Sequence, residues 1–270
     1  MPPKKRPISK PPRRDPGRHR APPASRGGPG DAATAPLVLY GTHAVTAALD
    51  NPTRQIRRLV TLGPCTVPLA EAAARRDIAA EPLDRAAFAA LVGAEAAHQG
   101  VGALVEPLPQ PDLRSICNTD RSLVLVLDQV EDSRNLGAIL RSAAAFGADA
   151  LVMQTRHAAP LNAACAKAAS GALEWVPVIH EVNLARTLTQ LQGAGYWVAG
   201  LDGNGETALD AFEPAAKQVL VLGAEGRGLR PLIRERCDLR VRIPIAARPE
   251  SLNVAVTAGI ALCHCALRVA

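Results

Sequence analysis

The sequence predicts an α/β fold in which a parallel sheet is covered by helices on both faces. Two apolar runs, at residues 122–127 and 219–222, show no alternation of apolar and polar residues, which is typical of parallel strands buried on both sides. Strand-like and helical patterns also alternate along the second half of the chain, as expected for repeated strand–helix–strand units. A smaller α/β unit precedes this part, and a proline-rich stretch at residues 106–112 separates the two.

The predicted elements follow in chain order. A short strand, a turn and a helix cover residues 37–49, and the rest of the small unit is predicted as a strand at 56–62, helices at 69–76 and 85–91, and a segment at 98–105 that ends in a strand. In the second half the predicted strands lie at 122–127, 150–153, 176–179, 197–201, 219–222 and 241–245. The predicted helices lie at 135–146, 162–170, 184–195, 231–236 and 251–269.

These patterns divide the chain into a basic tail (1–35), a small unit (36–107), a linker (108–120) and a sheet domain (121–270). The tail carries nine Lys or Arg and two Asp, whereas the remaining 235 residues carry 22 Lys or Arg and 23 Asp or Glu. Because the tail is rich in Pro, Arg and Gly and nearly lacks apolar residues, we expect it to be disordered. It is either a solvated leader or an arm that attracts RNA phosphates.

Composition argues against several classes of protein. No apolar run approaches the roughly 20 residues that span a membrane. The six cysteines are scattered without a C-x-x-C pair, so neither a zinc ribbon nor a redox pair is indicated. Cys263 and Cys265 flank His264, but positions two apart on a helix point roughly 200° away from each other and cannot chelate together. We therefore expect a cytoplasmic protein with no membrane segment and no metal site.

Three polar or glycine-rich segments follow predicted strands. The first places Asn135 and Arg141 in the opening turns of one helix, and the second, at residues 223–228, has the spacing G-x-x-G-x-G. That spacing differs from the G-x-G-x-x-G of dinucleotide-binding folds. The third opens the last predicted helix, with Ser251 as the expected N-cap. Because ligands of parallel sheets bind at the carboxyl ends of strands, we expect the three segments to form one site.

Each segment also has a simpler explanation when it is taken alone. The first could be a polar cap with a solvated arginine, the second a tight turn, and the third an ordinary helix start. Glu225 in the second segment could cap a helix, or it could tie neighbouring loops together by accepting amide hydrogen bonds. The occurrence of all three segments, in this order and at strand ends, is more specific than any one of them.

Together the three segments resemble the SpoU (TrmH) family of RNA ribose 2′-O-methyltransferases over residues 121–270. The matching positions are Asn135, Gly137 and Arg141; Gly223, Glu225, Gly226 and Gly228; and Ile243, Pro244, Ser251, Leu252, Asn253 and Val254. Ile245 and Ala255 stand where the family commonly has Met and Ser. The small unit resembles the family's L30-like substrate-binding domain, through the residues around Tyr40 and His43 near its start and those at 98–101 near its end.

This resemblance implies a fold, a reaction and a set of site residues. It implies a trefoil-knotted C-terminal (SPOUT) domain, a homodimer with active sites at the interface, and S-adenosylmethionine as methyl donor. The implied cofactor contacts are Gly223, Ile243 and Leu252. The implied catalytic residues are Arg141, Asn135, Ser251, Asn253 and Glu225, with Arg141 in the central role and Asn135 orienting either Arg141 or the ribose.

The two-domain layout is similar to the branch of the family that methylates a guanosine ribose in large-subunit (23S) rRNA. The implied partner is therefore 23S rRNA or the assembling large subunit. A tRNA ribose 2′-O-methyltransferase and a non-catalytic RNA-binding protein of the same fold stay open as alternatives. A nucleotide-dependent oxidoreductase is disfavoured, because the chain has no early G-x-G-x-x-G followed about 20 residues later by an acidic residue.

Overall fold

The computed structural model describes residues 36–93, 98–246 and 251–269. The basic tail at 1–35 lies outside the described residues, so its expected disorder and its role stay predictions. The described residues belong to one compact unit that contains two separate β-sheets.

The first sheet has four strands in the order β1-β4-β2-β3. Its strands are β1 (Leu37–Tyr40), β2 (Ile56–Thr61), β3 (Ala80–Pro82) and β4 (Val101–Val105), and the helices between them are α1 (Thr42–Asp50), α2 (Val67–Ala74) and α3 (Arg85–Val92). The two strands beside β4 run antiparallel to it, whereas β3 runs parallel to β2. The sequence did not predict β3, which has three residues and ends in a proline that only an edge position tolerates.

The second sheet has seven strands in the order β7-β6-β5-β10-β8-β11-β9, and all neighbouring pairs are parallel. Its strands are β5 (Ser122–Asp128), β6 (Ala150–Gln154), β7 (Val178–Glu181), β8 (Trp197–Leu201), β9 (Thr207–Ala208), β10 (Lys217–Gly223) and β11 (Leu239–Arg242). The accompanying helices are α4 (Leu113–Ile116), α5 (Ser133–Ala145), α6 (Ala163–Ala169), α7 (Leu184–Gly193), α8 (Pro231–Arg234) and α9 (Val254–Val269), with 3-10 turns at Ala172–Glu174 and Leu209–Ala211.

Alternate residues of the central strands enter two different hydrophobic cores. Leu125 and Leu127 of β5 pack in the core that contains residues of α5, α6 and α9. Val124 and Val126 pack in the core that contains residues of α7 and α8. An apolar run without alternation is what a strand needs when both of its faces are covered, and the predicted α/β class with a parallel sheet is confirmed.

Two local expectations were wrong, and the predicted linker contains a short helix. The last helix begins at Val254 and not at Ser251, and the strand before it ends at Arg242 and not at Ile245. The predicted linker at 108–120 contains the single-turn helix α4 (Leu113–Ile116), whose N-cap Asp112 accepts a hydrogen bond from the amide of Arg114. The predicted domain boundaries themselves stay a prediction.

The order of the strands places the candidate site. Strands β5 and β10 are neighbours at the centre of the sheet, and their carboxyl ends are in register, with Gly223 opposite Asp128. The polar loop that leads from β5 into α5 and the glycine-rich loop that follows β10 therefore leave the sheet side by side.

Candidate active site

Three side chains, one from each of the predicted segments, form a closed hydrogen-bonded group that we call the Asn–Glu–Asn triad. The Asn135 Nδ2 donates to Glu225 Oε1 at 2.9 Å, and the Asn253 Nδ2 donates to the same oxygen at 2.7 Å. The Asn253 Nδ2 also lies 3.0 Å from the Asn135 Oδ1. One carboxylate oxygen thus accepts from two amides, and the acidic residue ties neighbouring loops together, which is one of the two roles predicted for Glu225.

Helix starts hold two of the three triad residues in place. Asp132 caps α5, because its Oδ1 accepts from the amides of Arg134 at 2.7 Å and Asn135 at 2.9 Å. Asn253 directly precedes α9, and its Oδ1 accepts from the amides of Ala255 at 2.9 Å and Val256 at 3.3 Å. Its Nδ2 is left to donate to the triad.

Ser251 is therefore not the N-cap of the last helix, contrary to the expectation from the sequence. The helix starts three residues later than predicted, so the capping position falls on Asn253. Ser251 is exposed on the approach to α9.

The third triad residue sits on a loop that folds tightly back on itself. A side-chain carbon placed on Gly223 would lie 2.2 Å from the carbonyl carbon of Gly228 and 2.5 Å from the nitrogen of Leu229. The amide of Gly228 donates to the carbonyl of Ala224 at 2.9 Å, and Gly226 and Gly228 have φ angles of 78° and 65°. Glycine is needed at these positions, because a side chain would clash at 223 and would strain the left-handed backbone at 226 and 228.

Asp128 is a site residue that sequence reasoning missed. Its carboxylate is fully buried at the end of β5 and accepts from Arg230, at 2.9 Å from the amide and 2.7 Å from the Nε. The contact fixes the far end of the loop at residues 223–229 to the strand beside it. An acidic residue that ends an otherwise apolar buried run was the available signal, since a buried carboxylate needs a partner.

Arg141 lies on α5, six residues beyond Asn135, and its side chain is exposed. Within the described part of the chain Arg141 makes no hydrogen bond and no ion pair. The structure does not join Asn135 to Arg141, because the Asn135 amide is bonded to Glu225 and Asn253. The guanidinium is thus available to an anionic ligand.

The two aliphatic residues predicted as cofactor contacts lie near the two ends of the segment that joins β11 to α9. Ile243 directly follows β11 and packs against the core that contains α5 and α9, and it is half-buried. Leu252 is also half-buried, one residue before the Asn253 cap. Among the described residues no group of His, Cys, Asp or Glu side chains could hold a metal ion, and no described helix has the length and apolar character to cross a membrane.

Two family models match this chain. Residues 122–263 match the SpoU rRNA methylase family, and residues 38–111 match the substrate-binding domain of RNA 2′-O ribose methyltransferases. The chain belongs to the SpoU rRNA methylase family. The family predicted from the three segments is thereby confirmed, and the triad joins all three segments of this SpoU protein.

Curated members of the SpoU family align with most of the chain. The 23S rRNA (guanosine-2′-O-)-methyltransferase RlmB of Xylella fastidiosa (strain 9a5c) is 40% identical over 233 residues, which cover 83% of this chain and 93% of that protein. The protein of the same name from Escherichia coli (strain K12) is 37% identical over 235 residues, which cover 83% of this chain and 96% of that protein.

A solved structure supports the fold. The SpoU methyltransferase AviRb from Streptomyces viridochromogenes, in complex with its cofactor AdoMet, matches with a TM-score of 0.75. The match covers 91% of this chain and 94% of that chain at 23% identity. At this identity the likeness concerns the architecture, and it agrees with the parallel sheet and flanking helices of the SpoU domain.

Proposed function

We propose that this protein transfers a methyl group from S-adenosylmethionine to the ribose 2′-hydroxyl of a guanosine in 23S rRNA, so that S-adenosylhomocysteine leaves and the hydroxyl proton is released. The observation that carries the proposal is the Asn–Glu–Asn triad, which draws the three family segments together at the carboxyl edge of the sheet. The curated relatives named for this reaction add the substrate. The proposal places the protein in the cytoplasm, with 23S rRNA or the assembling large subunit as its partner.

The residues present fit the cofactor. No atom lies within 4 Å of where a side chain would stand on Gly226 or Gly228, so a ligand can approach the backbone there. The half-buried Ile243 and Leu252 offer apolar surface to an adenine ring. With Gly223 holding the loop closed, these residues would bind the nucleoside part of S-adenosylmethionine, whose sulfonium supplies an already activated methyl group.

The residues of the chain then have to bind and orient the ribose. The guanidinium of Arg141 is a planar cation with several N–H donors, so it is suited to hold the phosphate beside the target ribose and to polarise the 2′-hydroxyl. Asn135 and Asn253 are held by Glu225 and shape the pocket around the sugar. Ser251 offers an exposed hydroxyl on the same approach. Alignment of the hydroxyl with the methyl group can supply roughly 7–11 kcal/mol of the barrier in the best cases.

The intact site disfavours a non-catalytic RNA-binding protein. Two features hold the loop at residues 223–229 closed: the buried contact between Asp128 and Arg230, and the close backbone approach of Gly223 to Gly228. A protein that only bound RNA would not need them. The alternative that the protein methylates a ribose of tRNA is tested by the methyl-transfer assay described below.

We also propose a homodimer formed through the exposed face of α5 and α9. An open groove of about 830 Å³ runs along these helices, and it begins at Asn135 and Asn253. The exposed apolar side chains Val256 and Ile260 line it. A second copy packed there would bury these side chains and bring its own residues next to the triad. Light scattering during size-exclusion chromatography should give a dimer mass for the wild type and a monomer mass for a Val256→Glu/Ile260→Glu double variant.

The trefoil knot is part of the same proposal. Strand β11 lies beyond β8 in the sheet, whereas the following helix α9 packs against α5 and β10. Strand β11 and helix α9 therefore lie on opposite sides of β8, which is the arrangement that a threaded connection between them would require.

A methyl-transfer assay tests the proposed reaction. Purified protein, labelled S-adenosylmethionine and unmodified 23S rRNA are incubated, and the product is mapped by the resistance of the 2′-O-methylated linkage to alkali. We expect label at a single guanosine. Label on tRNA, with none on 23S rRNA or on large-subunit particles, would show that the substrate is tRNA. Absence of S-adenosylmethionine binding would contradict the proposal that the protein is an enzyme.

Arg141→Ala tests the assignment of the central residue. We expect this variant to lose methyl transfer and to keep its affinity for S-adenosylmethionine, since Arg141 is not among the predicted cofactor contacts. Arg186→Ala is the matched control, because Arg186 is an exposed arginine on α7, whose apolar residues pack in the other core. Full activity of Arg141→Ala would contradict the role given to Arg141.

A further inference from the structure

A buried ion pair joins the small unit to the sheet domain. Arg54 lies in the small unit between α1 and β2, and Glu174 ends the 3-10 turn Ala172–Glu174 of the sheet domain. Their side chains are 3% and 1% exposed, and the Arg54 Nη2 lies 2.8 Å from the Glu174 Oε1. Neither residue belongs to the segments that carry the proposed reaction.

The pair is fully bonded on both sides. The Arg54 Nε lies 3.1 Å from Oε1 and 3.0 Å from Oε2 of Glu174, and the Nη1 donates to the carbonyl of Glu106 at 2.6 Å. Asn51 adds a bond from its Nδ2 to the Glu174 Oε2 at 2.9 Å. A planar guanidinium that meets a carboxylate in this way accepts one relative orientation of the two groups, so the contact selects one arrangement of the two parts of the chain.

Close packing surrounds the pair. A side-chain carbon on Gly171 would lie 2.8 Å from the Cβ of Ala47 in α1, so the sheet domain approaches that helix as closely as a glycine permits. A second polar contact bridges the same junction, since the Lys167 Nζ lies 3.0 Å from the Gln99 Oε1. Most of the other ion pairs of the small unit are more exposed; the Arg58–Glu81 pair, for example, joins two neighbouring strands with side chains 43% and 48% exposed.

We propose that Arg54 and Glu174 are positioning residues that hold the substrate-binding part of the chain at one place relative to the triad. RNA held by the small unit is then presented to the Asn–Glu–Asn triad with its ribose in reach. A charge that is buried between the two parts of the chain without its partner is costly, whereas two separated and hydrated charges are not. The two parts are therefore either packed together with the pair formed or apart with both charges in water. The inference rests on the proposed function for its substrate.

Glu174→Gln tests the inference, because it keeps the shape of the side chain and removes the charge that Arg54 needs. We expect small-angle scattering to show a larger radius of gyration as the two parts separate. We expect kcat/KM for 23S rRNA to fall by about 100-fold, because RNA that contacts both parts of the chain binds less tightly once these two linked surfaces are uncoupled. The loss should appear in the KM for RNA, while kcat and the affinity for S-adenosylmethionine are retained because the triad is untouched.

Two further variants make the result specific. Glu81→Gln breaks an arginine pair of the same kind within the small unit and should leave both the scattering and the KM unchanged. The double variant Arg54→Met/Glu174→Leu replaces the pair by apolar side chains, which buried sites accept. It should restore the compact scattering profile and lower the KM towards the wild-type value.

A wild-type scattering profile and a wild-type KM in Glu174→Gln would overturn the inference. So would a fall in kcat at unchanged KM, because binding of RNA would then not depend on how the two parts are held. A double variant that is compact but keeps the high KM would show that the charges act on RNA directly, which also overturns it. If the wild type itself fails to methylate rRNA, the proposed function fails, whereas the scattering comparison still decides whether the pair holds the two parts together.

Discussion

Replacement of Gly223 by alanine should open the loop at residues 223–229 and weaken cofactor binding. The added carbon would lie 2.2 Å from the carbonyl carbon and 2.3 Å from the oxygen of Gly228, and 2.5 Å from the nitrogen of Leu229. These are backbone atoms, which cannot rotate out of the way as a side chain can. Strand β10 is buried over most of its length, whereas residues 225–228 are exposed, so the loop is the part that moves.

The expected size of the effect follows from the cost of this overlap. Inserting an extra carbon into a close-packed site costs typically about 1–3 kcal/mol. If binding S-adenosylmethionine requires the closed loop, the full cost appears as lost affinity, which corresponds to roughly a 5- to 150-fold higher Kd. The movement also draws Glu225 away from Asn135 and Asn253, so methyl transfer should fall further than cofactor affinity.

Isothermal titration with S-adenosylmethionine measures the Kd, and a thermal unfolding curve recorded in parallel shows that the protein is folded. Gly203→Ala is the matched control, since Gly203 lies in the loop after β8 with no atom within 4 Å of the added carbon. The control should bind the cofactor like the wild type. An unchanged Kd in Gly223→Ala would refute the reasoning, because it would mean that the cofactor site does not require the close backbone contact of Gly223 with Gly228 and Leu229.

Two further changes and one labelling experiment test other parts of the structure. Asp128→Asn removes the charge that meets Arg230 and should raise the Kd for S-adenosylmethionine while the fold is kept, as checked by titration and circular dichroism. Deletion of residues 1–35 should raise the KM for RNA and make it less dependent on salt concentration, because fewer phosphate counterions are released. An unchanged salt dependence would show that the tail does not contribute to RNA binding. Burial raises the pKa of the Cys165 and Cys265 thiols to about 12, so both should resist a thiol reagent at pH 8 until the protein is denatured. These folded-state pKa values lie above the value in the unfolded chain, so burial of the neutral thiols contributes fully to the free energy of unfolding below about pH 8.5. This contribution is lost as the pH rises towards 12.

The sequence predicted the class of the fold and the composition of the site because both depend on local patterns. The apolar runs that became β5 and β10 show directly that these strands are covered on both faces. The three loops at strand ends pointed to one edge of the sheet, and the structure brings Asn135, Glu225 and Asn253 together there. Short elements such as β3 and β9 escaped prediction, because two or three residues show no periodicity.

Contacts between distant residues could not be predicted in the same way. Arg54 and Glu174 are 120 residues apart in the chain, and an arginine or a glutamate in an ordinary loop gives no sign that it will be buried. The strand order is a similar case: periodicity identifies β10 as a buried strand but does not say that it lies between β5 and β8. The Asp128 contact with Arg230 depends on that order, so it too appears only in the structure.

The start of the last helix shows how the site itself selects one of two locally equivalent conformations. Serine and asparagine are both good N-caps, so the sequence alone allows the helix to begin after Ser251 or after Asn253. A serine hydroxyl that capped the helix would keep a single O–H to donate, whereas asparagine has an acceptor and a separate NH₂ group with two hydrogens to donate. Asn253 uses its Oδ1 for the helix and its Nδ2 for Glu225 and Asn135. The hydrogen bonds of the triad therefore stabilise the later helix start, and residue 253 has to be an asparagine to satisfy the helix and the triad at the same time.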